Sequence, residues 1–175
     1  MALERLWAGW RTEYIDAVFG DATEPDATSD RGCLFCALPS ADPDEALVIV
    51  RGQYAYAVLN AYPYTSGHLM VVPIRHLGEL DALDADEAAE VMTMTQQATT
   101  AIRTAYAPQG MNVGMNLGRA AGAGIPGHLH VHVLPRWVGD TNFMTSVAES
   151  RVLPEPLSKA LERLRAAWPS TDAHS

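Results

Sequence analysis

The sequence predicts an α+β fold with a mainly antiparallel sheet of about five strands, one long helix and a C-terminal helix. Three observations carry this. Short β-rich runs joined by turns come first, a long segment of helical period follows, and two further strand-like runs precede a last short helix. The 175 residues, 48% hydrophobic and 19% charged, are enough for one ordinary core, and no linker or internal repeat divides them. The chain reads as an N-terminal arm and loop (1–30), a main domain (31–145), and a C-terminal helix and tail (146–175) packed on that domain.

The arm is aromatic, with Leu6, Trp7, Trp10, Tyr14 and Ile15, and residues 21–31 form a polar surface loop. Strands are expected at Ala46–Val50, Tyr54–Asn60 and His68–Pro73, separated by Arg51-Gly52 and by a turn-rich stretch from Tyr62 to Gly67. At Asp84 the period changes. Asp84 with Glu87 makes a capping box, and Ala88, Val91, Met92, Thr95, Ala98, Ala101, Ile102 and Ala105 recur at helical spacing up to Pro108. Met92, Met94, Val91 and Ile102 read as core or subunit-interface residues. Met111–Leu117 is a fourth strand, and a glycine-rich stretch (Gly118, Gly122, Gly124, Gly127) leads into a fifth from His128 to Pro135. A short helix from Glu155 to Trp168 closes the chain.

Composition narrows the function classes. The 12 basic and 21 acidic residues give a net charge of −9, which disfavours a nucleic acid or an anionic membrane as partner and leaves a small ligand open. Glu4, Arg5, Arg11 and Glu13 interrupt any signal-like apolar stretch, and no apolar run has membrane-spanning length, so a cytoplasmic location is expected. Two cysteines, Cys33 and Cys36, are too few for a disulfide scaffold. Their C-x-x-C spacing points to metal or redox chemistry.

The most informative segment is Gly127-His128-Leu129-His130-Val131-His132-Val133-Leu134-Pro135-Arg136-Trp137. On a strand His128, His130 and His132 share one face, and Leu129, Val131 and Val133 the other. Half of the chain's six histidines stand in this row, directly after a glycine-rich loop. One metal held by all three is disfavoured, because side chains two apart on a strand are separated by about 7 Å. The row suits covalent catalysis instead: the central His130 is the natural nucleophile toward phosphorus, with flanking rings to orient it and to meet phosphate oxygens. The Gly118–Gly127 loop could offer backbone N–H groups to phosphate. For the C-x-x-C pair, two histidines would complete a tetrahedral zinc site, with His68, His76 and His128 as candidates. His68 otherwise reads as a hydrogen-bonded structural histidine. Arg136 and Arg119 could meet phosphate, Arg136 equally could form a structural ion pair, Arg75 reads as a solvated surface charge, and Trp137 could enclose a ligand or pack.

Taken together, these motifs resemble the histidine triad (HIT) superfamily of nucleotide hydrolases and transferases. The resemblance rests on Cys33-x-x-Cys36, Asn60 with Pro63 and Gly67-His68, Pro73-Ile74-Arg75-His76, Asn116-Leu117-Gly118, and His128-x-His130-x-His132 with Pro135-Arg136. Within it, the arm Leu6-Trp7-x-x-Trp10-Arg11-x-x-Tyr14-Ile15 and the run Trp137 to Phe143 are similar to actinobacterial-type diadenosine tetraphosphate phosphorylases. The resemblance implies a HIT-like fold and a two-step reaction in which His130 becomes the nucleotidyl-histidine and His132 contacts phosphate and bridging oxygens. It puts Asn60 at the ribose hydroxyls and Asn116 at the phosphates; the residues themselves offer Phe35 for an apolar base slot, Gly124 in the glycine-rich loop and Trp137 as further nucleotide-binding positions. In zinc-bearing relatives, including galactose-1-phosphate uridylyltransferases, the ligands correspond to Cys33, Cys36, His76 and His128. Adenine nucleotide and inorganic phosphate are the implied reactants, and a homodimer formed through the long helix and a neighbouring strand the implied assembly. One departure stands out: Gly124-Ile125-Pro126-Gly127 occupies the place where many members carry a Gln, Ser or Thr, so backbone N–H groups or Asn116 must meet the phosphate.

Overall fold

Alternation along the central strands sets the architecture of the computed structural model, which describes residues 32–140 and 155–169. Strands β1 (Val48–Arg51), β2 (Ala55–Leu59), β3 (Leu69–Pro73), β4 (Gly110–Gly114) and β5 (Val131–Arg136) form one antiparallel sheet in the order β1-β2-β3-β5-β4. Successive side chains point to opposite faces. Ala55, Ala57, Leu59, Leu69, Val71, Val131 and Val133 therefore meet the helices on one face, while Tyr56, Val58, Met70 and Val72 form a smaller cluster with Phe35 on the other. β2 and β3 are buried along their whole lengths, as central strands covered on both sides must be.

The helical face is covered by α2 (Ala85–Tyr106) and α3 (Leu157–Ala167), after a one-turn α1 (Leu34–Ala37) earlier in the chain. The capping box at the start of α2 forms as expected: the Glu87 N–H donates to Asp84 Oδ1 at 2.9 Å and the Asp84 N–H to Glu87 Oε2 at 3.0 Å. Ala98, Ala101 and Ile102 are fully buried against the sheet, whereas Met92 is 56% exposed and so is not core. Leu161 and Leu164 seat α3 on the same core as α2 and the sheet.

Several boundaries differ from the sequence reading. β5 begins at Val131, so His128 and His130 precede the strand; β4 ends at Gly114, leaving Asn116 in the loop that follows. α1 has no counterpart in the sequence pattern, because a four-residue helix is too short to show a period. The N-terminal arm and Thr141 to Phe143 lie outside the described residues. No described helix is long and apolar enough to cross a membrane.

Two local features position the site. Leu47, just before β1, sits at φ +57°, a left-handed conformation that costs a leucine about 1–3 kcal/mol and persists only where its surroundings impose it. After β3, Arg75 is not the solvated charge that the sequence suggests. Its Nε and Nη2 donate to the Glu87 carboxylate at 2.7 and 2.6 Å, and Nη2 also donates to the Ala82 carbonyl at 2.7 Å, tying this segment to the start of α2. The sequence misled because Glu87, 4% exposed, is buried by tertiary packing.

The hydrogen bonds from Arg75 hold the Glu87 carboxyl below the usual glutamate range. The stability this contributes is present above the unfolded-state value of about 4.3 and is lost as the pH falls through the lower folded value. Glu87→Gln is therefore expected to lower the urea midpoint at pH 7, with the gap to wild type closing as the pH drops below about 4.3. A gap that stays constant across that range would exclude the ion pair as its source.

Candidate active site and metal centre

The segment after β3 and the segment before β5 approach until no side chain fits between them. A Cβ on Gly78 would lie 2.6 Å from the Pro126 carbonyl oxygen, and the Leu129 N–H donates to the Leu77 carbonyl at 2.6 Å. This approach brings His76 beside His128, with ring centroids 5.1 Å apart. From the other side comes α1, whose N-cap is Cys33 and whose third residue is Cys36. The Tyr56 hydroxyl, its pKa pushed up mainly by burial, donates to the Phe35 carbonyl at 2.7 Å and anchors α1 to β2.

Cys33, Cys36, His76 and His128 each present a ligand atom, all within 4.8 Å of one another. Cys33 Sγ is 3.3 Å from His128 Nδ1, and Cys36 Sγ is 3.3 Å from His76 Nδ1 and 3.5 Å from His128 Nδ1. Sulfur and nitrogen ligands of a tetrahedral zinc ion stand about 3.6 Å apart, so the four residues fit a closed four-coordinate metal site. The other His128 nitrogen, Nε2, is 2.9 Å from the Pro73 carbonyl and donates to it, the partner that orients a ligating imidazole. Burial pushes His128 down to about 4, keeping the ring in the neutral form that a ligand needs. His68, one of the candidates from spacing, stands outside this group.

His130 takes its orientation from the same residue. Its Nδ1 donates to the His128 carbonyl at 2.8 Å, so the lone pair resides on Nε2. The ring packs on Phe35 at 5.1 Å, and burial holds its pKa below the ordinary imidazole range. Both effects keep a neutral imidazole with one accepting nitrogen.

His132 lies opposite Met70 in the β3–β5 register, on the sheet face away from the helices. Its tautomer follows from a chain of bonds that begins at a backbone amide. The Tyr64 N–H donates to His68 Nδ1 at 3.2 Å, and the Asn60 amide approaches the same atom at 3.4 Å. Nδ1 of His68 is thus an acceptor, and its Nε2–H donates to His132 Nδ1 at 3.0 Å. That leaves His132 with its proton on Nε2. The fully buried His68 is therefore an orienting residue, a role that sequence pattern could not single out because its partner is 64 residues away.

A cavity of about 440 Å³ opens on this face. Its apolar part is lined by Leu34, Phe35, Leu38, Leu47 and Val58, and its polar part by Asn60, Asn116, Gly124, His130 and His132. His128 is not among the lining residues, because its ring is turned toward the two cysteines. Trp137 is not among them either; its N–H donates to Asp140 at 3.1 Å. Arg136 resolves to the ion-pair reading: its Nε and Nη2 donate to the Asp140 carboxylate at 2.6 and 2.8 Å, and Nη1 donates to Asn112 Oδ1 at 2.7 Å.

Comparison with known proteins agrees with this geometry. The HIT domain model matches residues 43–138. The chain is 43% identical over 166 residues to AP-4-A phosphorylase of Mycobacterium tuberculosis, an alignment covering 95% of this chain and 85% of that protein. An uncharacterized HIT-like protein of the same organism is 32% identical, with 81% of this chain and 96% of the relative covered. Among solved structures, a Zn-bound histidine triad family protein from Mycobacterium smegmatis superposes with a TM-score of 0.64 at 27% identity, covering 79% of this chain and 94% of that one. A hypothetical histidine triad nucleotide-binding protein from Sulfolobus tokodaii gives 0.63 at 26% identity, covering 77% and 91%. A match spanning all five strands, an alignment over nearly the whole chain and the pair His130 and His132 at one cavity make this chain a member of the HIT domain family.

Proposed function

We propose that this protein is a nucleotidyltransferase that phosphorolyses diadenosine tetraphosphate to ADP and ATP through a covalent nucleotidyl-histidine on His130. The observation that carries the reading is the His130 imidazole, held neutral with its accepting nitrogen at a cavity that is apolar at one part and polar at the other. The AP-4-A phosphorylase identity over nearly the full chain supports the substrate. The adenine occupies the slot between Phe35, Leu47 and Val58, Asn60 meets the ribose, and Asn116 with the backbone near Gly124 meets the phosphates. Trp137 stays a weaker candidate for ligand contact, since it stands off the cavity lining.

In the first step His130 Nε2 attacks the α-phosphorus, an N–P bond forms and the bridging P–O bond breaks, releasing ATP. His132, with its proton on Nε2, donates a hydrogen bond to the departing oxygen. In the second step an oxygen of inorganic phosphate attacks the same phosphorus, the N–P bond breaks and ADP leaves. With water as acceptor the same site would release AMP instead, the hydrolase reading. That reading gains from the absence of a Gln, Ser or Thr side chain in Gly124–Gly127 to hold an incoming phosphate. His128 contributes through its carbonyl, which fixes the His130 tautomer, and not as an acid or base.

The metal read here is zinc, held by Cys33, Cys36, His76 and His128. When bound it supplies a structural cross-link among α1, the segment after β3 and the segment before β5. The assembly is a homodimer: β4 ends the sheet with an exposed edge, Val113 on it is 49% exposed, and Met92 on α2 is 56% exposed.

Product analysis with diadenosine tetraphosphate separates the acceptors. ADP plus ATP that appear only with added phosphate are expected; AMP plus ATP without it would assign the protein to the hydrolases. His130→Gly should lower turnover at least about 10³-fold while AMP still binds, and retained turnover would remove His130 as nucleophile. Native mass spectrometry should find a dimer carrying one zinc per chain, and a metal-free or monomeric folded species would contradict the corresponding part. Long-range ¹⁵N–¹H spectra at neutral pH should show His130 protonated on Nδ1 and His132 on Nε2; the opposite tautomer on His132 would break the assigned relay.

A further inference from the structure

The apolar part of the cavity is walled in part by Ala46 and Leu47, and Leu47 packs against both hydrophobic clusters of the domain. Its left-handed backbone is not one that leucine adopts unaided, so something must impose it. Part of the answer is local. The Leu47 N–H donates to the Asp44 carbonyl at 3.2 Å, the Val48 N–H to the Pro43 carbonyl at 2.9 Å, and the Leu47 carbonyl accepts from Leu59 at 3.0 Å.

The rest comes from the other end of the chain. Arg165, on α3, reaches across to both sides of Leu47. Its Nε and Nη2 donate to the Val48 carbonyl at 3.2 and 2.5 Å, Nη2 donates to the Pro43 carbonyl at 3.1 Å, and Nη1 meets Asp44 Oδ1 at 2.5 Å. The Asp44 side chain is 76% exposed, so the ion pair itself matters little; the two carbonyls are the informative acceptors. A guanidinium can serve them together because its donors are set in a rigid fork, which a lysine ammonium lacks. α3 is anchored in turn by Leu161 and Leu164 in the main core, so the fork is held by a rigid element.

We infer that Arg165 is a positioning residue for the base-binding wall: it holds the 43–48 segment in the shape that presents Leu47 to the base, and so sets nucleotide affinity without touching the nucleotide. The inference rests on the nucleotide reading of the cavity. It separates two parts of one ligand, since the wall faces the base while Asn60, Asn116 and the histidines serve ribose and phosphate.

The test is an NMR titration of wild type, Arg165→Ala and Arg165→Lys with AMP and, in parallel, with ribose 5-phosphate, which lacks the base. Arg165→Ala should weaken AMP binding about tenfold and leave ribose 5-phosphate binding unchanged, with Arg165→Lys between it and wild type. In turnover the loss should fall on KM, with kcat kept. Unchanged AMP affinity in folded Arg165→Ala overturns the inference, and so does an equal loss for both ligands, which would make Arg165 a support of the whole domain. Should Arg165→Ala fail to fold, Arg165→Lys carries the same comparison. A wild-type protein that binds neither ligand overturns the nucleotide reading itself, and the inference with it.

Discussion

His128 joins three parts of this structure through three polar atoms. Nδ1 faces the thiols of Cys33 and Cys36, Nε2 donates to the end of β3, and the backbone carbonyl accepts from His130. The residue is fully buried, where an unsatisfied polar atom would be costly, so these partners constrain one another. The consequence is that the cysteine–histidine cluster and the His130 ring cannot be arranged independently. Displacing the C-x-x-C turn would disturb the ring whose backbone fixes the His130 tautomer, and would also move Phe35, which packs on both rings.

The sheet divides labour between its faces. Toward the helices it offers small and branched residues, and the alanines of α2 allow close packing. Toward the other side it carries His132 among Val58 and Met70, with α1 as a partial cover. His132 is thus displayed by a β-layer whose larger core lies on the opposite face. The segments that complete the cavity and the cysteine–histidine cluster are irregular, and their shape is imposed from outside: Gly78 against Pro126, Glu87 through Arg75, and α3 through Arg165.

Local signals were readable where the physics is local. The capping box at Asp84 needs only residues three apart, and the extent of α2 follows from its period. The alternation of the fifth strand placed Val131 and Val133 in the core and His132 on the other face, which is what the register gives. The reading failed where burial of a partner decided the role. Arg75 looks solvated until the first turn of α2 buries Glu87 against it, and of the two roles open to Arg136 only the fold selects the ion pair, by bringing Asp140 back onto it. Nothing near His68 announces that it orients His132, and nothing near Arg165 announces a site 117 residues earlier.

By itself the sequence determined the fold class, the order of the main strands and helices and the motifs in which the cysteines and histidines stand, because helix and strand periods and motif spacings are properties of short segments. Tertiary structure alone decided how those residues share the work. It turned His128 toward the cysteines and away from the cavity, left His130 with an accepting nitrogen, and through the hydrogen bond from His68 fixed the His132 proton on Nε2. Such assignments depend on which polar atom meets which partner once water is excluded. Those partners are brought together by strand pairing and helix packing across as many as 122 residues, a separation at which no local pattern carries information.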